Sequence, residues 1–340
     1  MSIPVLTYGA ERTGLICGFR FDPDAPGQAL TSDEAVEWLG ARAADVPRSF
    51  AWLHFDLAGA VAERWMRDHL GLPDGFFESL HEGSRSTRIE RADDCLVAVV
   101  NDVLFDFAFG PSHVSTLWAC VRPDLVVTAR RKPLRSVDRL RLAVRDGETF
   151  LASADILTHL LHDQVDVLAQ IVRAATSRVD EIEDTLLANR LEPRNADLGA
   201  TRRVLVRLRR LLAPEPAALF RLLGHPPAWI GADQVQGLRE ATEEFSIGLN
   251  DMSSLLERIK LVQEEIAAQV NEQNNRSLFL LTIFTVLALP INIVAGLFGM
   301  NVGGIPLGQD ERGFWTIVGI VAAFTVPALW IVLRRRRTGR

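Results

Sequence analysis

Asn271-Glu272-Gln273-Asn274-Asn275-Arg276-Ser277-Leu278-Phe279-Leu280-Leu281-Thr282-Ile283-Phe284-Thr285-Val286-Leu287-Ala288-Leu289-Pro290-Ile291-Asn292-Ile293-Val294-Ala295-Gly296-Leu297-Phe298-Gly299-Met300-Asn301 is the stretch that decides the architecture. It opens polar, and from Ser277 to Phe298 it carries no charged residue over 22 positions. Upstream there is no proline or paired glycine back to about Asp233, so one long helix is expected across both parts. At about 1.5 Å per residue it would run roughly 100 Å, which requires neighbours along its length.

Steps of four and three residues stay on one face of a helix. One such face reads Asn250, Ser254, Glu257, Leu261, Glu264, Ala268, Asn271, Asn275, Leu278, Thr282, Thr285, Leu289, Asn292, Gly296. A line that stays this polar while its surroundings become apolar does not suit contact with lipid. It reads as the lining of an ion path.

Ser277–Phe298 is long enough to cross a hydrocarbon core of roughly 30 Å. Gly313–Leu333 is a second uncharged run, of 21 residues. Two spans, at about 277–299 and 313–333, put both chain ends on one side. Arg334-Arg335-Arg336-Arg337 after the second span, and Arg276 before the first, mark that side as cytoplasmic. Trp315 and Trp330 stand near the ends of the second span, where aromatic anchors are common. The opening residues lack the pattern of a signal peptide, which agrees with a cytoplasmic N-terminal part.

The expected organisation is an α+β chain in three parts. Residues 1–150 form a mixed α/β cytoplasmic domain, 151–276 a helical stalk, and 277–340 a transmembrane domain with a basic tail. Strands are expected at 14–21, 49–57, 96–103, near Phe105–Phe107, at 113–122 and at 125–130, from β-branched and aromatic runs bounded by Gly, Pro and Asp. Thr31–Leu39 and Glu63–Leu70 read as short helices. From Ser153 the period turns helical. A helix over 154–187 ends in Asp180, Glu181, Glu183 and Asp184. A second, over 198–212, carries Arg202, Arg203, Arg207, Arg209 and Arg210. Acidic beside basic is most simply an antiparallel pair through Pro193, and Gly224-His225-Pro226-Pro227 ends the helical run.

The totals narrow the function. A net charge of -6 argues against a nucleic-acid binder, so no such partner is expected. Cys17, Cys95 and Cys120 are far apart and form no CxxC, which points to reduced, buried thiols. There is no Gly-rich phosphate loop, no nucleophile elbow and no HExxH, so an enzyme is not expected and no cofactor is called for.

Two spans per chain cannot enclose a water-filled path, so several copies must surround it. Glu257 and Glu264 would then form carboxylate rings that concentrate cations at a vestibule. Asn271 and Asn275 would offer amide oxygens, with Thr282, Thr285 and Asn292 further along. Leu278 and Leu289 would be apolar constrictions, and Asn301 an oxygen ring at the outer mouth. The competing reading is that the polar groups bond across a helix pair. Neutral oxygens suit a divalent ion that keeps much of its water, as Mg²⁺ does.

Gly299-Met300-Asn301 at the end of the first of two C-terminal spans resembles the CorA-type divalent-cation transporter superfamily. Its continuation Val302-Gly303-Gly304-Ile305-Pro306, with Trp52-Leu53-His54-Phe55-Asp56-Leu57 and Thr128-Ala129-Arg130-Arg131, is similar to the zinc-transporting ZntB branch. The resemblance covers essentially the whole chain. It implies a homopentameric funnel in the inner membrane with the first span lining the pore. Asn301 would take part in ion entry and selection, and Gly299 and Met300 would hold the turn. CorA relatives that move Mg²⁺ usually continue the motif with an aromatic residue and an acidic segment. Val302-Gly303-Gly304 therefore favours Zn²⁺, with Mg²⁺, Co²⁺, Ni²⁺ and Cd²⁺ as the other candidate cargoes. The branch is associated with uptake, and proton coupling rests on the resemblance alone, since the first span holds no ionisable carrier. From the residues alone, direction is not readable, and a membrane-anchored cation sensor or scaffold is the reading from another class. His159 and His162, three apart on a helix, are a conceivable zinc pair but read better as packing residues. His54 reads as a satisfied core residue. Asp93 and Asp94 read as a solvated turn rather than a regulatory cation site.

Overall fold

The computed structural model describes residues 10–23, 25–41, 49–82, 87–92, 94–104, 114–187, 195–300 and 312–338. Among them the chain divides into two compact units, Met1–Val262 and Gln263–Arg340.

The first unit is built on a seven-stranded sheet. In chain order its elements are β1 (Leu15–Phe21), β2 (Gln28–Ala29), α1 (Ser32–Ala41), β3 (Phe50–Asp56), α2 (Ala60–His69), α3 (Asp74–Glu82), β4 (Arg88–Ala92), β5 (Cys95–Val103), β6 (Val114–Val121), β7 (Leu125–Arg130) and α4 (Arg135–Arg145). α5 (Ser153–Leu187), α6 (Asn195–Leu212) and α7 (Pro214–Gly224) follow, and α8 (Ala232–Phe298) starts in this unit and continues into the second. The strand order is β2-β1-β3-β7-β6-β5-β4, with β3 and β7 the parallel pair.

β3 shows why the sheet must be covered on both faces. Side chains alternate along a strand. Phe50 and Trp52 enter one core, with Phe21, Leu96, Leu117, Leu140 and Ile156. Ala51, Leu53 and Phe55 enter the other, with Met66, Phe76, Leu125 and Val127. Trp52 is fully buried and stacks on Phe19, ring centroids 5.9 Å apart. A buried aromatic of this kind removes roughly 150–250 Å² from water, worth several kcal/mol at about 25 cal/mol per Å².

The turn into β1 depends on one glycine. Gly14 has φ +86°, and a Cβ there would lie 2.6 Å from that of Ala62. Both the backbone conformation and the close approach to α2 exclude a side chain.

The strands expected at 14–21, 49–57, 96–103, 113–122 and 125–130 correspond to β1, β3, β5, β6 and β7, and the one expected near Phe105 lies outside the described residues. β2, β4, α3, α4 and α7 were not anticipated. α5 and α6 do lie side by side, with Val167, Leu168 and Ile171 lining one small cavity with Leu208 and Leu212, but their opposite charges do not meet among the described residues. Arg258 of α8 lies 2.6 Å from Asp180 Oδ1 and donates through Nε to Glu183 Oε1 at 2.8 Å, with Nη2 on Glu183 Oε2. The α6 arginines stay exposed, without an ion pair among the described residues.

The second unit holds the rest of α8 and α9 (Gly313–Thr338). α8 contains a run long and apolar enough to cross a membrane, none of it buried. In α9 the apolar run found among the described residues is the shorter Gly313–Pro327, although the helix itself continues to Thr338. The side chains of 328, 329 and 331–338 are outside the described set.

Candidate functional site

α8 has two unlike faces. Met252, Leu255, Leu256, Ile259 and Val262 are buried on one side, at the spacing of an apolar helix face. On the other, Asn250, Ser254, Glu257, Leu261, Glu264, Ala268, Asn271 and Asn275 are exposed. The stripe read from the sequence is the face its own chain leaves uncovered. Arg258 sits at the rim of the packed side, and its two carboxylate partners raise its already high affinity for a proton.

The stripe continues exposed through Leu278, Thr282, Thr285, Leu289, Asn292 and Gly296. Within the second unit, a groove lined by Ile291, Val294 and Phe298 of α8 meets Phe314, Val318 and Val321 of α9. At 3.6 residues per turn that side lies about 150° round the helix from the stripe. α9 therefore leaves the polar line open.

The polar groups on the span are not equivalent. Thr282 Oγ1 donates to Leu278 O at 2.8 Å and Thr285 Oγ1 to Leu281 O at 2.9 Å. Their hydrogens are satisfied within the helix, and their lone pairs remain for an ion or water. Asn292 has no such local partner among the described residues, so it is the side chain on the span that most needs one. Pro290 lies inside α8. It has no N–H for the carbonyl four residues back, that of Val286, and frees an acceptor at this depth.

At the end of the span, Gly299 N donates to Ala295 O at 2.9 Å. A Cβ on Gly299 would lie 2.9 Å from that same oxygen, so the bare Cα is required. Met300 is half exposed, at 50%. Asn301 lies outside the described residues. The structure thus brings Glu257, Glu264, Asn271, Asn275, Leu278, Thr282, Thr285, Leu289 and Asn292 onto one face of one helix, and a single chain does not close that face into a channel.

The remaining titratable side chains are engaged elsewhere. His54 is fully buried; its Nδ1 bonds Thr128 Oγ1 at 2.8 Å and its Nε2 accepts from Arg130 Nε at 3.1 Å. Burial, then the charges of Arg130 and Arg141, hold it well below the usual histidine range. It is a neutral core residue. His159 reaches Asp163 at 3.0 Å, an ion-pair distance without hydrogen-bond alignment, and Glu148 at 3.4 Å. Burial opposes its charge, but Asp163 and Glu148 outweigh that and raise its affinity for a proton. His162 lies 3.1 Å from Glu244 of α8. Among the described residues no three His, Cys, Asp or Glu side chains converge to hold a metal. Asp93 is outside that set. None of the three cysteines is in a disulfide, and burial pushes the Cys17 thiol up to about 12.

Residues 47–336 match the family described as CorA-like Mg2+ transporter protein. The chain belongs to the CorA-like family. Among relatives, it is 28% identical over 335 residues to the divalent cation transporter CmaX of Pseudomonas aeruginosa, covering 97% of this chain and 98% of that one. The solved full-length CmaX protein superposes with a TM-score of 0.81 at 27% identity, covering 96% and 99% of the two chains. The zinc transport protein ZntB of Pectobacterium atrosepticum is 24% identical over 285 residues, 84% of this chain and 87% of that one. The CorA-like fold accounts for the α/β unit followed by a helix as long as α8. Sequence reading missed Arg258 as its tether to α5. The signal was there, since Arg258 follows Leu255 at the spacing of the buried face.

Proposed function

We propose that this CorA-like chain is a divalent-cation transporter of the inner membrane, with Zn²⁺ as its cargo and uptake as its direction. Five copies surround a path lined by the exposed face of α8. α9 forms the second span on the lipid side, and both ends of the chain are cytoplasmic. The observation that carries this reading is the stripe on α8 that keeps polar residues along the apolar run, exposed on its own chain and turned away from the groove with α9.

The residue roles follow from the stripe. Glu257 and Glu264 raise the cation concentration at the vestibule. Asn271 and Asn275 present amide oxygens. Leu278 and Leu289 narrow the path as apolar rings, and Thr282, Thr285 and Asn292 supply oxygens between and beyond them. Gly299 and Met300 shape the turn that presents Asn301 at the outer mouth. Support for zinc is the Val302–Pro306 continuation of the motif and the likeness to ZntB. Support for the second reading, Mg²⁺ with Co²⁺, is the family description and the all-oxygen lining, which gives no reason to prefer a softer ion.

The test is zinc influx into proteoliposomes. Asn301→Ala is expected to cut influx at least about tenfold, a change of about 1.4 kcal/mol in the barrier. Influx unchanged by that substitution would remove Asn301 from the mouth. Excess Mg²⁺ that replaces zinc as cargo would favour the second reading.

A further inference from the structure

Glu215 is the least accommodated charge in the α/β unit. It is 0% exposed, and neither carboxyl oxygen has a well-formed hydrogen bond. It stands in the first turn of α7, where backbone N–H groups normally receive a carboxylate. Here the flanking residues are Pro214 and Pro216, which have no N–H. The sequence removes the donors that would stabilise an anion at this position.

Its surroundings accept rather than donate. From β5 comes Asp102, a second buried carboxyl that accepts Ser136 N at 3.1 Å and Ser136 Oγ at 2.6 Å from the start of α4. From α5 comes Gln164, whose Nε2 donates to Asn101 O at 3.0 Å and whose Oε1 is buried without a partner. α6 presents the Leu211 carbonyl, already shared by Asn101 Nδ2 and Thr87 Oγ1. The charges that bear on this layer are Asp102 on Glu215 and Asp163 on Asp102, both negative, and among the described residues no cation acts on Glu215. A small cavity next to Asp102 and Gln164, lined also by Asn101 and Phe245, approaches the size of one water.

We propose that Glu215 is a buried proton-binding site: a neutral carboxylic acid that donates its O–H to Gln164 Oε1 and so ties α7 to α5 and, through Asn101, to β5. The two unpartnered acceptor and donor atoms then satisfy each other. Burial and the Asp102 charge both raise Glu215 well above the usual carboxylate range, against the opposing Gln164 contact. When the proton leaves to solvent, two carboxylates share one apolar layer, and water must enter or α7 must separate from α5. The proposal does not depend on which ion moves, or on whether any does.

Stability carries the sign. A group whose folded-state proton affinity is raised binds more protons folded than unfolded, so its contribution is full below the ordinary glutamate range. It is lost as pH rises toward the raised value. Infrared spectra of the full chain in lipid nanodiscs test the site directly. The wild type at pH 7 is expected to show a protonated-carboxyl C=O band that is absent in Glu215→Gln, which keeps a donor for Gln164. Raising the pH should remove the band and speed amide exchange over 214–224 by about tenfold relative to Glu215→Gln under the same conditions. A wild type without the band overturns the proposal. So does a band that survives Glu215→Gln but disappears in Asp102→Asn, or exchange that is equal in the two proteins at every pH.

Discussion

The α/β unit and the span of α8 are both rich in apolar residues, yet they treat them in opposite ways. Trp52, Phe50, Phe55 and Leu96 are buried within their own chain. Leu278, Leu281, Phe284 and Leu289 are 57–69% exposed. The first region is complete as one chain. The second leaves a larger apolar surface than a soluble monomer tolerates and a polar line running through it. The difference teaches that the second region needs surroundings its own chain does not supply; the proposed path puts lipid on the Phe284 and Ile291 side and further copies on the Thr282 and Asn292 side.

Substitutions can break this comparison. Trp52→Ala should have the largest effect, destabilising the α/β unit by about 3–5 kcal/mol while leaving the helicity of the span intact. Denaturant unfolding read separately in the two regions checks it, and equal loss in both would contradict their independence. Asn292→Leu should lower cation flux about tenfold, with Phe284→Leu within twofold of wild type. Equal effects in proteoliposome assays would erase the distinction between the two faces.

The next effect is in pH. His54 is held neutral by burial and by Arg130, so its contribution is full above the ordinary histidine range and is lost as pH falls through it. In that window the α/β unit should lose up to about 1.4 kcal/mol per pH unit. Melts of wild type and His54→Asn compared between pH 7.5 and 5 would detect this, and parallel curves would refute it. Arg258→Met should cost least, about 0.5–1 kcal/mol, because the pair is largely exposed and screened. Its mark should be faster exchange confined to the C-terminal end of α5 and the turns of α8 around Arg258, with wild-type salt dependence counting against it.

These regions also differ in how far the residues announce them. β3 and β7 were legible because alternation and β-branching agree with burial on two faces. β4, Arg88-Ile89-Glu90-Arg91-Ala92, was not, since its charges suit an edge strand that gains order only by pairing with β5. α7 was hidden because Pro214 and Pro216 obscure its helical pattern, although proline is well tolerated in a first turn. The α5–α6 charge pairing failed because the two helices meet through apolar residues while the α6 arginines point to solvent, and Arg258 from 75 positions away from Glu183 took the carboxylates. The stripe on α8 was fully legible, because a helix fixes which residues share a face before anything packs on it. The buried Glu215–Gln164 contact was not, because it joins elements whose packing no local pattern encodes.

The most direct test of the central claim is thiol accessibility along α8. Single cysteines at Thr282, Thr285 and Asn292, and at Leu280, Phe284 and Ile291 on the opposite side, would be treated with a charged, membrane-impermeant thiol reagent during zinc influx. The native thiols are buried or half-buried and should remain silent. Block at the first three positions and none at the second three is the expected result. Block at the second set, or no difference between the sets, would contradict a path lined by this face.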